Sequence, residues 1–213
     1  MRAPDLNHLL SPVRIWFERQ GWEPLPFQTR TWEAHLNGRS GLIQVPTGSG
    51  KTYAAVMGPI ARMLQTANEL SGVRLLYITP LRALSRDLAV ALKQPIEAMG
   101  WPLRVGIRNG DTPSAERSRQ LRKPPEILIT TPESLCVLLA GRHCEALFKT
   151  LDTVVLDEWH ELIGSKRGIQ AELALSWLRQ QRPQLQTWAI SATIGNLEES
   201  ARHALGEGCE PCL

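Results

Sequence analysis

The sequence lacks the features that mark secreted, membrane-spanning and disulfide-stabilised proteins. Its 213 residues include only four cysteines, which are too few for a disulfide framework. No apolar run reaches the ~18 residues that a membrane-spanning helix needs. Asp5 and His8 stand where a signal peptide would be apolar. We therefore expect a cytoplasmic protein with no membrane partner.

The composition is that of an ordinary globular protein. Hydrophobic residues make up 43% of the chain and charged residues 21%, so neither a disordered nor a fibrous protein is expected. The formal net charge at pH 7 is +3. A chain this mildly basic is compatible with a nucleic-acid partner but does not require one.

Hydrophobic periodicity divides the chain into a helical start and a longer alternating part. Apolar residues recur at helical spacing as far as Gly21, and a second helix is expected from Phe27 to Leu36. From residue 41 onward, short apolar runs alternate with helical stretches. This pattern predicts an α/β fold with a mainly parallel β-sheet, helices on both faces and an N-terminal helical segment.

The alternation gives boundaries for each element. The predicted strands are 41–45, 73–78, 103–107, 126–130, 153–156 and 185–190. The predicted helices lie near 51–65, 82–98, 113–121, 133–140 and 168–181. In the last helix, the residues expected to share one apolar face are Ile169, Leu173, Ala174, Trp177 and Leu178.

A phosphate-binding loop is the strongest chemical signal in the sequence. The segment 46–52 reads PTGSGKT, follows a predicted strand and opens a predicted helix. Its small residues let backbone N–H groups surround a phosphate, with the positive end of the helix dipole behind them. Lys51 is expected to reach the β- and γ-phosphates, and Thr52 to bind Mg²⁺. The alternative is a glycine-rich turn with a surface lysine, which the strand–loop–helix context disfavours.

Two acidic residues form a second candidate site. Asp157 and Glu158 follow the predicted strand 153–156, at the carboxyl end where parallel sheets bind ligands. We expect Asp157 to hold Mg²⁺ and Glu158 to accept a proton from the attacking water. The alternative is a pair of exposed acids that cap the next segment. The tripeptide SAT at 191–193 also follows a strand, and alone it could equally cap a helix.

The order of these motifs resembles that of superfamily 2 helicases. PTGSGKT is followed by DEWH at 157–160 and by SAT at 191–193. The stretch DEWHELIGSKRG, residues 157–168, resembles the large helicase-related branch, and most closely the bacterial ligase-associated DEXH-box helicases implicated in DNA repair. Four further segments resemble other motifs of the superfamily: Phe27-Gln28, TPLRAL (79–84), NGDT (109–112) and TTPESL (130–135).

The resemblance implies an ATP site with the cofactors ATP and Mg²⁺. It implies a RecA-like ATP-binding domain over 39–205, preceded by the helical segment 1–38 and followed by an irregular tail at 206–213. Gln28 would read the adenine base. Thr52 and Asp157 would bind the metal, and Lys51, Asp157 and Glu158 would be the catalytic residues. The residues expected to hold the nucleotide, besides Gln28, are Thr47, Gly48, Ser49, Gly50, Lys51 and Thr52.

The resemblance also implies a nucleic-acid track beside the ATP site. His160, Ser191 and Thr193 would couple the two sites. Contacts to a nucleic-acid backbone carry little sequence information, so binding is expected to be sequence-tolerant and salt-sensitive. The residues expected to meet one strand of DNA are Thr79, Pro80, Arg82, Gly110, Asp111, Thr131, Pro132 and Glu133.

The same resemblance implies a longer motor. Helicases of this superfamily place ATP between two RecA-like domains, and the motifs here are those of the first. We therefore expect an N-terminal piece that lacks the second domain and binds ATP and single-stranded nucleic acid weakly, without unwinding. Its partners would be single-stranded or partly duplex DNA, the missing domains and DNA repair enzymes. An RNA-directed helicase domain and a nucleotide-binding module without turnover remain open alternatives.

Two further patterns are assigned no function. Cys209 and Cys212 have half of a zinc-site spacing, and because there is no second pair no zinc site is expected. Seven basic residues are interpreted as solvated surface charges rather than DNA contacts: Arg86, Arg117, Arg119, Arg122, Lys123, Lys166 and Arg167.

Overall fold

Short apolar strands form the centre of the fold in a computed structural model, which describes residues 5–46, 48–66, 71–192 and 204–205. They pair in the order β1-β6-β5-β2-β4-β3, and every pairing is parallel. The strands are β1 (Gly41–Gln44), β2 (Leu75–Ile78), β3 (Val105–Arg108), β4 (Ile127–Thr130), β5 (Thr153–Leu156) and β6 (Gln186–Ser191).

Helices cover both faces of the sheet. None of the helices in the described ranges is long and apolar enough to cross a bilayer. The helices are α1 (Leu6–Arg19), α2 (Pro26–Leu36), α3 (Lys51–Gln65), α4 (Arg82–Met99), α5 (Ser114–Arg122), α6 (Pro132–Leu139), α7 (Cys144–Phe148), α8 (Trp159–Leu162) and α9 (Lys166–Gln181).

Two hydrophobic cores lie on opposite faces of the sheet because successive side chains of a strand point in opposite directions. Tyr77 and Val155 belong to the core that α1, α2, α3 and α4 cover. Leu76 and Leu156 belong to the core covered by α6, α7, α8 and α9. Strands buried on both faces explain the nearly continuous apolar runs of the sequence. The predicted α/β fold with a parallel sheet and helices on both faces is thus confirmed.

The N-terminal helices lie where the sequence predicted them, except that α2 begins one residue earlier, at Pro26. The Asp5 carboxylate accepts hydrogen bonds from the N–H groups of Asn7 and His8 and so caps α1. Gly21 follows the helix with a φ of 70°, a left-handed conformation that favours glycine. Both helices pack into the same core as the sheet, where Trp16 and Trp32 are fully buried.

The predicted apolar face of α9 is wrong in part. Ile169 and Leu173 are 57% and 67% exposed, whereas Ala171 and Leu175 are buried. Helix α9 is therefore rotated about its axis relative to the prediction, and Gly168 explains why. A Cβ atom on Gly168 would lie 2.0 Å from the carbonyl oxygen of Leu162, the last residue of α8. This close approach turns the stripe of small and apolar residues toward α6 and the sheet. The short helices α7 and α8 were not predicted, since neither is long enough to show periodicity.

Candidate active site

The candidate ATP site lies at the carboxyl edge of the sheet. The loop that follows β1, the acidic pair after β5 and the end of β6 meet there, because these three strands are neighbours and all run parallel. Ser191 ends β6 between the other two segments. Parallel α/β sheets bind their ligands at this edge. The sheet therefore brings together motifs that are more than a hundred residues apart in sequence.

The phosphate-binding loop depends on two glycines. Gly48 and Gly50 have φ values of 82° and 83°, which other residues rarely adopt. A Cβ atom on Gly50 would also lie 2.6 Å from Nε2 of Gln28. The Ser49 hydroxyl donates a hydrogen bond to the Pro46 carbonyl at 2.6 Å and so closes the turn. Thr47, the remaining loop residue in the predicted set, lies outside the described residues.

Gln28 joins the loop to helix α2. Its side-chain oxygen accepts a hydrogen bond from the Leu25 N–H at 2.9 Å, and its nitrogen donates one to the Gly50 carbonyl at 3.1 Å. The residue is 3% exposed. An amide has a second N–H and a second lone pair, so these contacts leave capacity for one more ligand on each atom. Adenine reading by Gln28 stays a prediction.

Lys51 and Glu158 form an ion pair inside the site. Lys51 begins α3 and is 7% exposed. Its Nζ lies 3.7 Å from Oε1 of Glu158 and makes no hydrogen bond within the described ranges. A buried ammonium group without hydrogen bonds is costly, and phosphate oxygens at the loop would supply them. The orphaned N–H groups of Lys51 therefore fit a bound phosphate.

The acidic pair Asp157 and Glu158 lies in a turn with strained backbone. Glu158 has φ 43° and ψ 47°, a left-handed conformation uncommon outside glycine. Its N–H donates to Oδ1 of Asp157 at 3.1 Å, and the N–H of Asp157 donates to the Ile78 carbonyl at 2.8 Å. Burial, followed by the nearby Glu158 charge, raises the pKa of the Asp157 carboxyl to about 6. Burial makes the charged form of Asp157 unfavourable, and a cation bound beside the carboxylate would stabilise that form.

The donor set at this position suits a hard divalent cation. Asp157 offers a carboxylate and Thr52 a hydroxyl, and oxygen ligands of this kind are those that Mg²⁺ prefers. Tyr77 of β2 also faces both side chains, with its hydroxyl buried among them. Tyr77 is not among the residues predicted from the sequence. The available signal was a polar residue within the otherwise apolar strand LLYI.

His160 connects the acidic pair to β6. Its Nδ1 lies 3.0 Å from the Ser191 hydroxyl and 3.5 Å from Oε2 of Glu158. Ser191 is fully buried, so this contact has little competition from water. The structure thus places His160 and Ser191 together, and their coupling role stays a prediction. Thr193, the third member of that set, lies outside the described residues.

The predicted nucleic-acid residues follow three neighbouring strands but differ in exposure. Thr79 and Thr131 are 0% and 2% exposed, so their side chains do not reach the surface in this conformation. The side chains of Arg82, Asp111 and Glu133 are about half exposed or more. The surface that a nucleic acid would meet is therefore formed by these charged side chains and by backbone, rather than by the threonine hydroxyls.

The turn after β3 is held by two arginines. Arg82 pairs with Asp111 at 3.2 Å, and Gly110 is packed so closely that a Cβ atom there would lie 2.5 Å from the guanidinium carbon of Arg82. Arg117 donates hydrogen bonds to the carbonyls of Thr112, Asn109 and Gly110. Arg117, interpreted from sequence as a solvated charge, instead fixes the backbone of this turn.

Arg167 bridges two of the predicted nucleic-acid segments. Its Nη1 donates to the Pro80 carbonyl at 3.2 Å, and its Nε lies 2.6 Å from Oε1 of Glu133. The side chain remains 51% exposed. Arg167, interpreted from sequence as a solvated surface charge, makes contacts that no local pattern predicts, because its partners lie 87 and 34 residues away in the chain.

The sequence model of one protein family matches most of the chain. The model of the DEAD/DEAH box helicase family matches residues 25–200. The chain belongs to this family. The match covers most of the helices and strands described above, including the phosphate-binding loop and the acidic pair. The expected membership of the helicases of superfamily 2 is therefore confirmed.

Individual relatives of the chain are named Lhr helicases. The chain is 38% identical to the Lhr helicase/uracil glycosylase of Escherichia coli over 96% of its own length and 15% of the relative. It is 35% identical to the ATP-dependent helicase Lhr-Core of Methanothermobacter thermautotrophicus over 95% of its length and 25% of the relative. The chain therefore spans a quarter or less of these relatives. The narrower likeness to ligase-associated helicases stays a prediction.

The structural comparison also finds a helicase named Lhr. The structure of the Mycobacterium smegmatis helicase Lhr, bound to ssDNA and AMP-PNP, matches with a TM-score of 0.85 and 33% identity. The match covers 99% of this chain and 27% of that one. The RecA-like fold that the resemblance implied is thereby confirmed.

Replacing Asp157 by asparagine should stabilise the ligand-free fold. The raised pKa means that the folded state resists ionisation of Asp157, so stability is lost as pH rises from the usual 3.8 toward about 6. At pH 8 we expect Asp157→Asn to add about 1–3 kcal/mol to the free energy of unfolding. The gain should be smaller at pH 5. Urea unfolding at both pH values measures it.

The exposed Asp87 on α4 supplies the control. Asp87→Asn removes the same charge from the surface and should change stability by less than about 0.5 kcal/mol. An Asp157→Asn chain that is less stable than the parent at pH 8 would contradict the strained-carboxylate account.

Proposed function

We propose that the chain is the ATP-binding first motor domain of an ATP-dependent DNA helicase or translocase. The observation that carries the proposal is the meeting of Lys51 and Glu158, 3.7 Å apart in a buried site at the phosphate-binding loop. This contact supports the proposal because it joins the candidate phosphate-binding lysine to the candidate general base. The Lhr relatives, named as helicases, support the same assignment.

The chemistry assigned to the site is hydrolysis of the terminal phosphate of ATP. The backbone N–H groups around Gly48 and Gly50 and the Lys51 ammonium would hold the phosphates. Thr52 and Asp157 would hold Mg²⁺, which when bound supplies charge stabilisation at the phosphate oxygens. Glu158 would accept a proton from water. Its left-handed backbone and its contacts with Lys51 and His160 hold the carboxylate toward the loop.

A nucleic-acid track is proposed for the charged surface beyond the ATP site. Arg82 and Arg167 carry exposed guanidinium groups whose present partners are the carboxylates of Asp111 and Glu133. Half-exposed ion pairs of this kind are weak, so phosphate groups can compete for the arginines. The ssDNA in the structure of the Mycobacterium smegmatis relative favours DNA over RNA as the ligand.

The complete activity is proposed to belong to a longer motor. Hydrolysis in related ATPases gains about 10³–10⁵ in rate from an arginine finger, which a second RecA-like domain would supply. We propose that residues 39–205 act as the first RecA-like domain, with 1–38 as the preceding helical segment and 206–213 as a tail. A role in DNA repair, DNA repair enzymes as partners and a cytoplasmic location are part of the same proposal.

Two substitutions test the assigned ATP chemistry. Lys51→Ala removes the cation that holds the phosphates, and we expect it to weaken binding of a fluorescent ATP analogue at least tenfold. Glu158→Gln keeps the size of the side chain and should leave that binding within about twofold. It should lower the rate of ATP hydrolysis about 100-fold or more, because a general base contributes about 10²–10⁴ in rate.

The exposed Lys123 offers a matched lysine control. Lys123→Ala should change neither binding nor hydrolysis. If Lys51→Ala and Lys123→Ala bind the analogue equally well, the phosphate-binding role of Lys51 is wrong. Near-normal hydrolysis by Glu158→Gln would remove Glu158 as the base.

A charge substitution tests the nucleic-acid track. Arg167→Gln releases both the Pro80 carbonyl and Glu133, so we expect affinity for fluorescent single-stranded DNA to fall about fivefold, or ~1 kcal/mol. Arg122→Gln removes an equally exposed charge from α5 and should have a much smaller effect. Fluorescence anisotropy in the presence of Mg²⁺ and AMP-PNP measures both.

Equal losses in the two variants would indicate a general charge effect and would contradict the proposed track. An RNA strand of the same sequence, measured in parallel, decides between the DNA and RNA alternatives. Tighter binding of RNA than of DNA would overturn the DNA assignment.

A further inference from the structure

Tyr77 carries a buried hydroxyl that the proposed chemistry does not yet use. The residue lies in β2, in the middle of the sheet, and is 0% exposed. Its hydroxyl makes no hydrogen bond of normal geometry within the described part of the chain. Buried polar groups are nearly always hydrogen-bonded, so the polar side chains beside this hydroxyl indicate what it can bind.

The neighbours of this hydroxyl are the two candidate metal ligands. Tyr77 lies opposite Val155 in the parallel register, and Asp157 follows two residues later with its N–H bonded to the Ile78 carbonyl. Thr52 lies in the first turn of α3, which covers the same face of the sheet. The polar side chains that face the Tyr77 hydroxyl are those of Thr52 and Asp157, with the Glu158 charge farther away.

The chemistry of a phenol matches this position. A tyrosine hydroxyl has one proton to donate and lone pairs to accept with. It can therefore donate to a carboxylate oxygen of Asp157 and accept the proton of the Thr52 hydroxyl. The hydroxyl proton of a metal-bound threonine points away from the cation and needs such an acceptor.

We propose that the Tyr77 hydroxyl is a positioning group that orients Asp157 and Thr52 as ligands of the divalent cation of a bound nucleotide. The inference rests on the proposed function, because it presumes that the site takes a metal–nucleotide complex. Residues that hydrogen-bond metal ligands typically change metal affinity by about 10–100-fold when they are replaced. Tyr77 would act through its two neighbours and would not touch the nucleotide itself.

The alternative is that Tyr77 only fills the core. A phenylalanine would serve that purpose as well, since the ring packs among apolar residues of α3 and the sheet. The two accounts therefore differ in what they predict for Tyr77→Phe. If Tyr77 only packs, the substitution leaves the dependence on Mg²⁺ unchanged. If the hydroxyl orients the ligands, the substitution changes that dependence and leaves metal-free nucleotide binding as it was.

The test is binding of a fluorescent ATP analogue to the 213-residue chain, titrated with Mg²⁺ and repeated in EDTA. For Tyr77→Phe we expect the Mg²⁺ concentration at half-maximal binding to rise about tenfold, with the EDTA value unchanged. Thermal unfolding should show no loss of stability. Tyr53→Phe is the matched control, because its hydroxyl contacts the Ala91 carbonyl and Gln94 on α4, away from the metal ligands.

The possible outcomes distinguish a failure of the Tyr77 role from a failure of the proposed ATP-binding function. A parent chain that binds the analogue with a Mg²⁺ midpoint identical to that of Tyr77→Phe would overturn the role of Tyr77 alone. A parent chain that does not bind the analogue at any Mg²⁺ concentration would overturn both proposals. A rise in the midpoint for Tyr77→Phe but not for Tyr53→Phe supports the inference.

Discussion

The candidate site depends on one electrostatic constraint: the three ionisable groups Lys51, Asp157 and Glu158 share one largely buried edge of the sheet. Lys51 is nearly inaccessible to solvent and finds Glu158 at 3.7 Å but no hydrogen bond within the described ranges. Burial, and after it the negative charge of the neighbouring Glu158, raises the pKa of the Asp157 carboxyl to about 6. A metal–triphosphate complex carries the opposite charges to the lysine and to the acids. The site is thus poised for a ligand of that charge pattern.

The same constraint connects the ATP site to the proposed nucleic-acid surface. Glu158 contacts His160, which meets Ser191 at the end of β6. The four-residue helix α8 then leads to Arg167, whose contacts reach Pro80 and Glu133. A change in the position of Glu158 on ligand binding would act at the start of this short segment. The connection is built from ten residues of continuous chain and needs no distant relay.

Local patterns predicted the fold well because each rests on short-range physics. Strands buried on both faces show as apolar runs, and the loop at 46–52 shows as small residues between a strand and a helix. The face of α9 was misjudged because Gly168, a contact between elements, sets the rotation of the helix. Periodicity alone ranked Ile169 and Leu173 as core residues, although both lie exposed.

The residues of the candidate site could be proposed from the sequence, but their contacts could not be predicted from it. Motif order identified Lys51, Asp157 and Glu158, and the parallel sheet explains why they meet. The bridges made by Arg167 join residues far apart in the chain, so no spacing rule reveals them. Tyr77 was missed for a related reason: a tyrosine in a buried strand is usually a core residue, and the proposal of a further role rests on its neighbours in space, which the sequence does not reveal.

The most direct test is a crystal structure of this chain with Mg²⁺ and AMP-PNP. The account predicts that Lys51 leaves Glu158 and hydrogen-bonds the phosphates, while Asp157 and Thr52 lie at the metal and the Glu158 carboxylate faces the terminal phosphate. A structure in which Lys51 keeps its contact with Glu158, and the nucleotide binds away from the loop at 46–52, would contradict the account.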